Sequence, residues 1–157
     1  MQNVKIFFDR PKSFDLQNAK PLIGITGLYF IFLSNTQISY PFGRSRLIYI
    51  GMSEKKTNSI GKRLTDHYDG QSGNIGISSY KKVEQLLFTH LNFDMLRRLW
   101  TRSIEDLETY FILDFVRLYG VYPICNNKTG VMDLGGESLD INLEVDWAYF
   151  GSEGDSK

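Results

Sequence analysis

Residues 27–51 read GLYFIFLSNTQISYPFGRSRLIYIG, and the way this stretch folds decides how the rest of the chain is arranged. Residues 27–34, GLYFIFLS, form an apolar, aromatic run that is short for a helix and rich in strand formers. Residues 46–51, RLIYIG, form a second run of the same character. Between them Asn35, Pro41 and Gly43 are turn residues, so the pattern predicts two strands joined by a long hairpin loop. A tripeptide with a tyrosine brackets each end: Gly27-Leu28-Tyr29 opens the hairpin and Tyr49-Ile50-Gly51 closes it.

Outward from the hairpin the period changes. In TNSIGKRLTDHY, Ser59 is placed to cap a helix on which Ile60, Leu64 and Tyr68 recur every three to four residues, and Gly70 is placed to stop it. Arg63 and His67, four apart, project from one face of that helix. The polar loop DGQSGNIGISS follows, then YKKVEQLL reads as a short helix. LFTHLNF alternates as a third strand would, with a continuation of the preceding helix as the alternative. Residues 103–120, SIEDLETYFILDFVRLYG, have a capping serine, acidic residues in the first turn, an apolar face of Ile104, Leu107, Phe111, Phe115 and Leu118, and a terminal glycine. At the N-terminus VKIFFD reads as a short strand ended by Arg10-Pro11. LDINLEVDWAYF, residues 139–150, places Leu139, Ile141, Leu143, Val145, Trp147 and Tyr149 on one side, a strand added to the sheet or buried in a subunit contact.

The expected fold class is therefore α/β (α+β): a small three-stranded antiparallel sheet flanked by helices, with an added C-terminal strand. A chain of 157 residues lies in the size range of one domain, residues 1–157, and an aromatic content of 14% gives it the means to build a core. No apolar run reaches the roughly 20 residues of a membrane span, and MQNVKIFFDRPK has no signal-peptide pattern, so a cytoplasmic protein is expected. Cys125 is the single cysteine, which rules out an internal disulfide or a cysteine-rich metal site. Net charge is zero, but Asp133, Glu137, Asp140, Glu144, Asp146, Glu153 and Asp155 are concentrated beyond residue 131, leaving a basic body and an acidic extension, residues 131–157.

Taken together, Gly27-Leu28-Tyr29, Tyr49-Ile50-Gly51, Ser53, the Arg63/His67 pair, Leu107-Glu108 with Phe111-Ile112, and Pro123-Ile124-Cys125-Asn126 resemble, in order, the motif of the GIY-YIG nuclease family, over residues 27–130. The resemblance implies a nuclease that cuts phosphodiester bonds with one divalent metal ion, Mg²⁺ or Mn²⁺, on DNA, with double-stranded DNA as the expected form. It places Tyr29, Tyr49, Arg63, His67, Glu108 and Asn126 in the catalytic set, with Glu108 as the metal ligand. Singly, the tyrosines read as strand aromatics, Arg63 and His67 as a solvated helix face, and Asn126 as turn chemistry; the joint pattern outweighs those readings.

The chemistry suits the set. Phosphodiester cleavage needs a deprotonated water, an answer to phosphate charge and a stabilised leaving oxygen. A glutamate is a hard oxygen ligand for Mg²⁺, which needs only one or two carboxylates. Arginine is a permanently charged fork for phosphate oxygens. A phenol, with a pKa of about 10, needs help from cations to act as a base. Tyr29 and Tyr49 both qualify for water activation, with His67 orienting the phenol or accepting its proton. The interval of 18 residues from Glu108 to Asn126 leaves Glu105 as a less favoured ligand. Lys55, Lys56 and Lys62, between Gly51 and Arg63, are candidates for nucleic-acid contacts. One site cuts one strand, so double-strand cleavage calls for a homodimer or two encounters. The competing classes are a nucleic-acid-binding module on the same fold and a subunit of a larger assembly.

Overall fold

A computed structural model describes residues 1–126 and 139–151. The acidic residues Asp133, Glu137, Glu153 and Asp155, and the last residues of the expected 27–130 core, lie outside the described part. In chain order the elements are β1 (Gln2–Ile6), β2 (Lys12–Ser13), α1 (Leu16–Ala19), β3 (Gly27–Leu33), β4 (Ile38–Tyr40), β5 (Gly43–Ser45), β6 (Leu47–Ser53), α2 (Ile60–Asp69), α3 (Ile75–Val83), β7 (Leu86–Asn92), α4 (Phe93–Leu96), α5 (Ile104–Tyr119) and β8 (Ile141–Val145). Short 3-10 turns occupy Lys20–Leu22, Lys56–Asn58 and Trp147–Phe150.

The main sheet is antiparallel in the order β2-β7-β3-β6. The three expected strands are its β3, β6 and β7, and a two-residue strand, β2, adds a fourth beside β7. In β3 every residue is buried, because helices cover both faces of the strand. Successive side chains then divide by parity. Leu28, Phe30 and Phe32 join Leu107, Phe111 and Phe115 of α5, whereas Tyr29, Ile31 and Leu33 join Ile60 and Leu64 of α2 and Ile77 of α3.

Three expectations need adjustment. The segment 35–45 is more than a loop: β4 and β5 form their own two-stranded ladder, fixed by the Tyr40 hydroxyl donating to the Leu47 carbonyl at 2.7 Å. α3 begins at Ile75, inside the stretch expected as loop, because Asn74 caps it by accepting from the Ile77 amide. The C-terminal strand does not extend the main sheet. β8 pairs in parallel with β1 in a separate two-stranded sheet, from Gln2 opposite Ile141 to Ile6 opposite Val145. It also ends earlier than the alternation suggests, since the chain turns at Trp147–Phe150 and drives Trp147 and Phe150 into the aromatic cluster over α5. Arg46 holds that turn to the sheet, donating to the Gly151 carbonyl at 2.6 Å and to the Tyr149 carbonyl at 3.2 Å. No helix among the described residues is long and apolar enough to cross a membrane.

Candidate active site

β6 is the outer strand of the main sheet, and the candidate residues gather around it. Tyr29 stands opposite Gly51 in the β3–β6 ladder. A side chain at position 51 would collide with the Tyr29 ring, so the glycine is what allows the phenol to lie across β6. Gly61, the second residue of α2, has an equally direct reason: a Cβ there would strike the backbone of Ala19, Leu22 and Ile23. Its absence brings α2 close to the segment of α1 and the 3-10 turn after it. Ser59 caps α2 by accepting from the Lys62 amide, and Gly70 ends it in the left-handed conformation.

That placement sets a hydrogen-bonded chain. The Tyr29 hydroxyl accepts from Arg63 Nε at 3.1 Å and lies 3.0 Å from His67 Nε2. His67 Nδ1 is 2.8 Å from the Ser72 hydroxyl. Tyr29 is fully buried and His67 nearly so, whereas Tyr49 and Arg63 are partly exposed and Ser72 is exposed. The Tyr49 ring packs edge-on against the His67 ring, with centroids 5.0 Å apart, and lies 5.9 Å from that of Tyr29. Tyr49, Tyr29 and Arg63 influence one another's ionisation.

Burial dominates the proton affinities here. It pushes Tyr29 well above the usual phenol value, and Tyr49 adds to that while the Arg63 charge and hydrogen bond oppose it. Burial also raises Tyr49, against the opposing charge of Arg63. Tyr49 is thus the phenol nearer both to solvent and to ionisation. Burial and the neighbouring Arg63 charge lower His67 to about 4, so its imidazole is neutral at pH 7. For Arg63, burial works against the charge but the two phenols outweigh it, and the guanidinium stays charged.

Glu108 comes from the other side. It is buried on α5, the helix that packs on β6 and β3, and its charge reaches Tyr49, raising the phenol's pKa. Glu105, three residues earlier, is exposed, which favours Glu108 as the metal ligand of the two. Among the described residues no group of three or more His, Cys, Asp or Glu stands together, and Glu108 offers one buried carboxylate. Asn126 has a different place from the one expected of a residue that touches substrate. Its side-chain carbonyl accepts from the Ile50 amide at 3.0 Å and its amide donates to the Ile50 carbonyl at 2.8 Å. It therefore pairs with the edge of β6 as a neighbouring strand would, and fixes the segment between Tyr49 and Gly51.

The lysines divide. Lys55 lines, with Met52, Ser53, Glu54, Asn58 and Arg63, a cleft of about 180 Å³. Ser53 shapes it by donating to the Asn58 carbonyl at 2.6 Å. Lys56 is exposed in the following 3-10 turn, and Lys62 is held by Asp66 at 2.8 Å. A larger hollow of about 340 Å³ beside α5 is lined by Tyr110, Asp114, Arg117 and Asn142, where Asp114 is already bonded to Arg117 and Trp147. Cys125 is buried and its thiol is pushed up to about 12 by desolvation, which works against thiolate formation. His90 sits in β7, half-buried, directly opposite Tyr29 in the β3–β7 ladder.

Ser72 and Asn74 were not singled out by sequence, because a serine and an asparagine in a glycine-containing loop carry no pattern of their own. No protein-family model, no curated protein and no solved structure matches this chain.

Proposed function

We propose that this chain is a metal-dependent endonuclease that hydrolyses phosphodiester bonds in DNA, using a site of the kind the GIY-YIG resemblance implies. The observation that supports the reading is the convergence at β6 of two phenols, a guanidinium and a neutral imidazole from one face with the buried carboxylate of Glu108 from the other.

In this reading Arg63 receives the scissile phosphate. Its Nε is occupied by Tyr29, which orients the rest of the guanidinium toward the cleft it shares with Lys55. Tyr49, the more accessible phenol, faces the attacking water, and Tyr29 and His67 form the interior path for its proton. Glu108 is the protein ligand for Mg²⁺ or Mn²⁺. When bound, such an ion offsets charge developing on the leaving oxygen. Asn126 acts on the reaction through β6, holding Tyr49 by the backbone of its neighbour Ile50. Lys55 and Lys56 are placed for flanking phosphates, whereas Lys62 would first have to leave Asp66. Paired cuts in duplex DNA would use two copies of the chain.

Incubation with supercoiled plasmid, single-stranded DNA and RNA, with and without Mg²⁺, tests the reading. Nicking or linearisation of plasmid only when Mg²⁺ is present is the expected result. A folded protein that binds these substrates and cuts none of them would instead be a nucleic-acid-binding module.

A further inference from the structure

The chain from Tyr29 does not stop at the histidine. His67 Nδ1 meets Ser72, whose hydroxyl oxygen also accepts from the Asn74 amide at 3.2 Å. Ser72 is held from both sides: its own amide donates to the Asp66 carbonyl at 3.0 Å, and Gly70 and Gly73 take left-handed conformations on either side of it. Asn74 anchors the loop by donating to the Cys125 carbonyl at 2.9 Å, next to the Asn126 that pairs with β6. The loop is thus tied to the same strand edge as the site.

Hydrogen-bond donors are the constraint. The Tyr29 oxygen already accepts from Arg63, and its single O–H is free to donate to His67 Nε2. With Tyr29 as the donor, Nε2 carries the lone pair and Nδ1 the proton. Ser72 can accept that proton's hydrogen bond with its second lone pair, leaving its own O–H directed to water. We infer that Ser72 is a positioning residue for the proposed nuclease reaction: it holds His67 in the Nδ1–H tautomer and connects the buried Tyr29–His67 pair to solvent. The inference rests on the nuclease reading for its role in catalysis, though not for the tautomer.

The transfer balances. A proton leaves the attacking water for the Tyr49 oxygen, the Tyr49 proton passes to Tyr29, and the Tyr29 proton passes to His67 Nε2. His67 releases Nδ1–H to Ser72, and the Ser72 hydroxyl proton goes to bulk water. Five bonds to hydrogen break and five form, and the net result is one hydroxide at the site and one proton outside. His67 gives up one proton as it takes another, which suits a ring faced by Arg63 and Asp66 from its own helix, Tyr29 from β3 and Tyr49 from β6. A resting imidazolium beside Arg63 is avoided.

The test is a comparison of wild type, Ser72→Ala and Ser72→Thr. Nitrogen-15 shifts of the His67 ring at pH 7 read the tautomer directly, and with two histidines in the chain His90→Gln assigns the signals. Wild type is expected to show the Nδ1–H form, Ser72→Ala a mixture of both forms, and Ser72→Thr, which keeps the hydroxyl, the wild-type form. Plasmid cutting by Ser72→Ala should fall about tenfold, in line with the loss of an outer partner that orients a functional histidine, and added imidazole buffer should recover part of it. An unchanged tautomer in Ser72→Ala overturns the inference even if the protein proves to be a nuclease. A changed tautomer in a protein that cuts nothing leaves Ser72 as the holder of His67 and overturns the nuclease reading instead.

Discussion

The two faces of the main sheet share the same strands and are built to different ends. On the α5 side Phe30, Phe32, Phe111, Phe115, Trp147 and Phe150 interlock, Phe30 and Phe111 with ring centroids 5.8 Å apart and Phe115 and Trp147 at 5.4 Å. On the α2 side Tyr29 stands in the cluster, His67 faces it, and Arg63 reaches in from the rim. Burying a hydroxyl and an imidazole costs free energy unless each is hydrogen-bonded, so Tyr29 and His67 depend on their partners. The first face packs by area and shape; the second adds to its own apolar cluster, with Ile31, Leu33, Ile60, Leu64 and Ile77, a hydrogen-bonded network of polar groups, which is the condition for chemistry.

Breaking each face should therefore give different losses. On the aromatic side Phe111→Ala should destabilise by about 3–5 kcal/mol, read as a shift of the urea midpoint. A shift under about 1 kcal/mol would show that this face does not carry the fold. On the other side Arg63→Ala loses one hydrogen bond to Tyr29 and should cost only about 1 kcal/mol of stability, while cutting falls a hundred- to a thousandfold, as for loss of one donor to a developing oxyanion. Equal losses of stability and activity in that variant would place Arg63 among the structural residues. His67 makes the second face sensitive to acid. Its folded pKa of about 4 lies below the usual 6.5, so the unfolded chain binds the extra proton between those values and stability rises with pH through that window. The contribution is roughly 3 kcal/mol, fully present above about pH 6.5 and lost toward pH 4. Chemical denaturation at pH 7 and pH 4.5 should show a smaller pH loss in His67→Gln than in wild type, and identical losses would refute the buried neutral imidazole. The smallest effect is at the strand edge: Asn126→Ala removes two hydrogen bonds to Ile50 and should cost about 1–3 kcal/mol, with faster amide exchange at Ile50. Unaltered exchange there would mean that the edge is held by other contacts.

The comparison also explains what could be read from sequence. α2 and α5 were legible end to end, because Ser59 and Ser103 cap them through the amides of Lys62 and Asp106 and Gly70 and Gly120 close them. β3 and β6 were legible from their aromatic and β-branched runs, whereas the alternation of LFTHLNF left β7 open between strand and helix. The β1–β8 pairing was not, since a ladder that joins Gln2 to Ile141 leaves no local trace in either segment. In the site, the Arg63/His67 spacing and the two tyrosines marked which residues share a face. The sequence left the two phenols equivalent, and only burial separates Tyr29 from Tyr49. Asn126 was recognisable as part of the motif but not as a partner of the Ile50 backbone, and Ser72 had no pattern to mark it.

In the proposed reaction Glu108, reaching β6 from the aromatic side, supplies the metal ligand while the other face carries the proton transfers. Cleavage of supercoiled plasmid by Glu108→Ala across a titration of Mg²⁺ or Mn²⁺, with DNA binding and the urea midpoint measured on the same preparation, tests it most directly. The account predicts no cutting above background at any metal concentration, with binding and folding retained. Metal-dependent cutting at the wild-type rate by Glu108→Ala would contradict it.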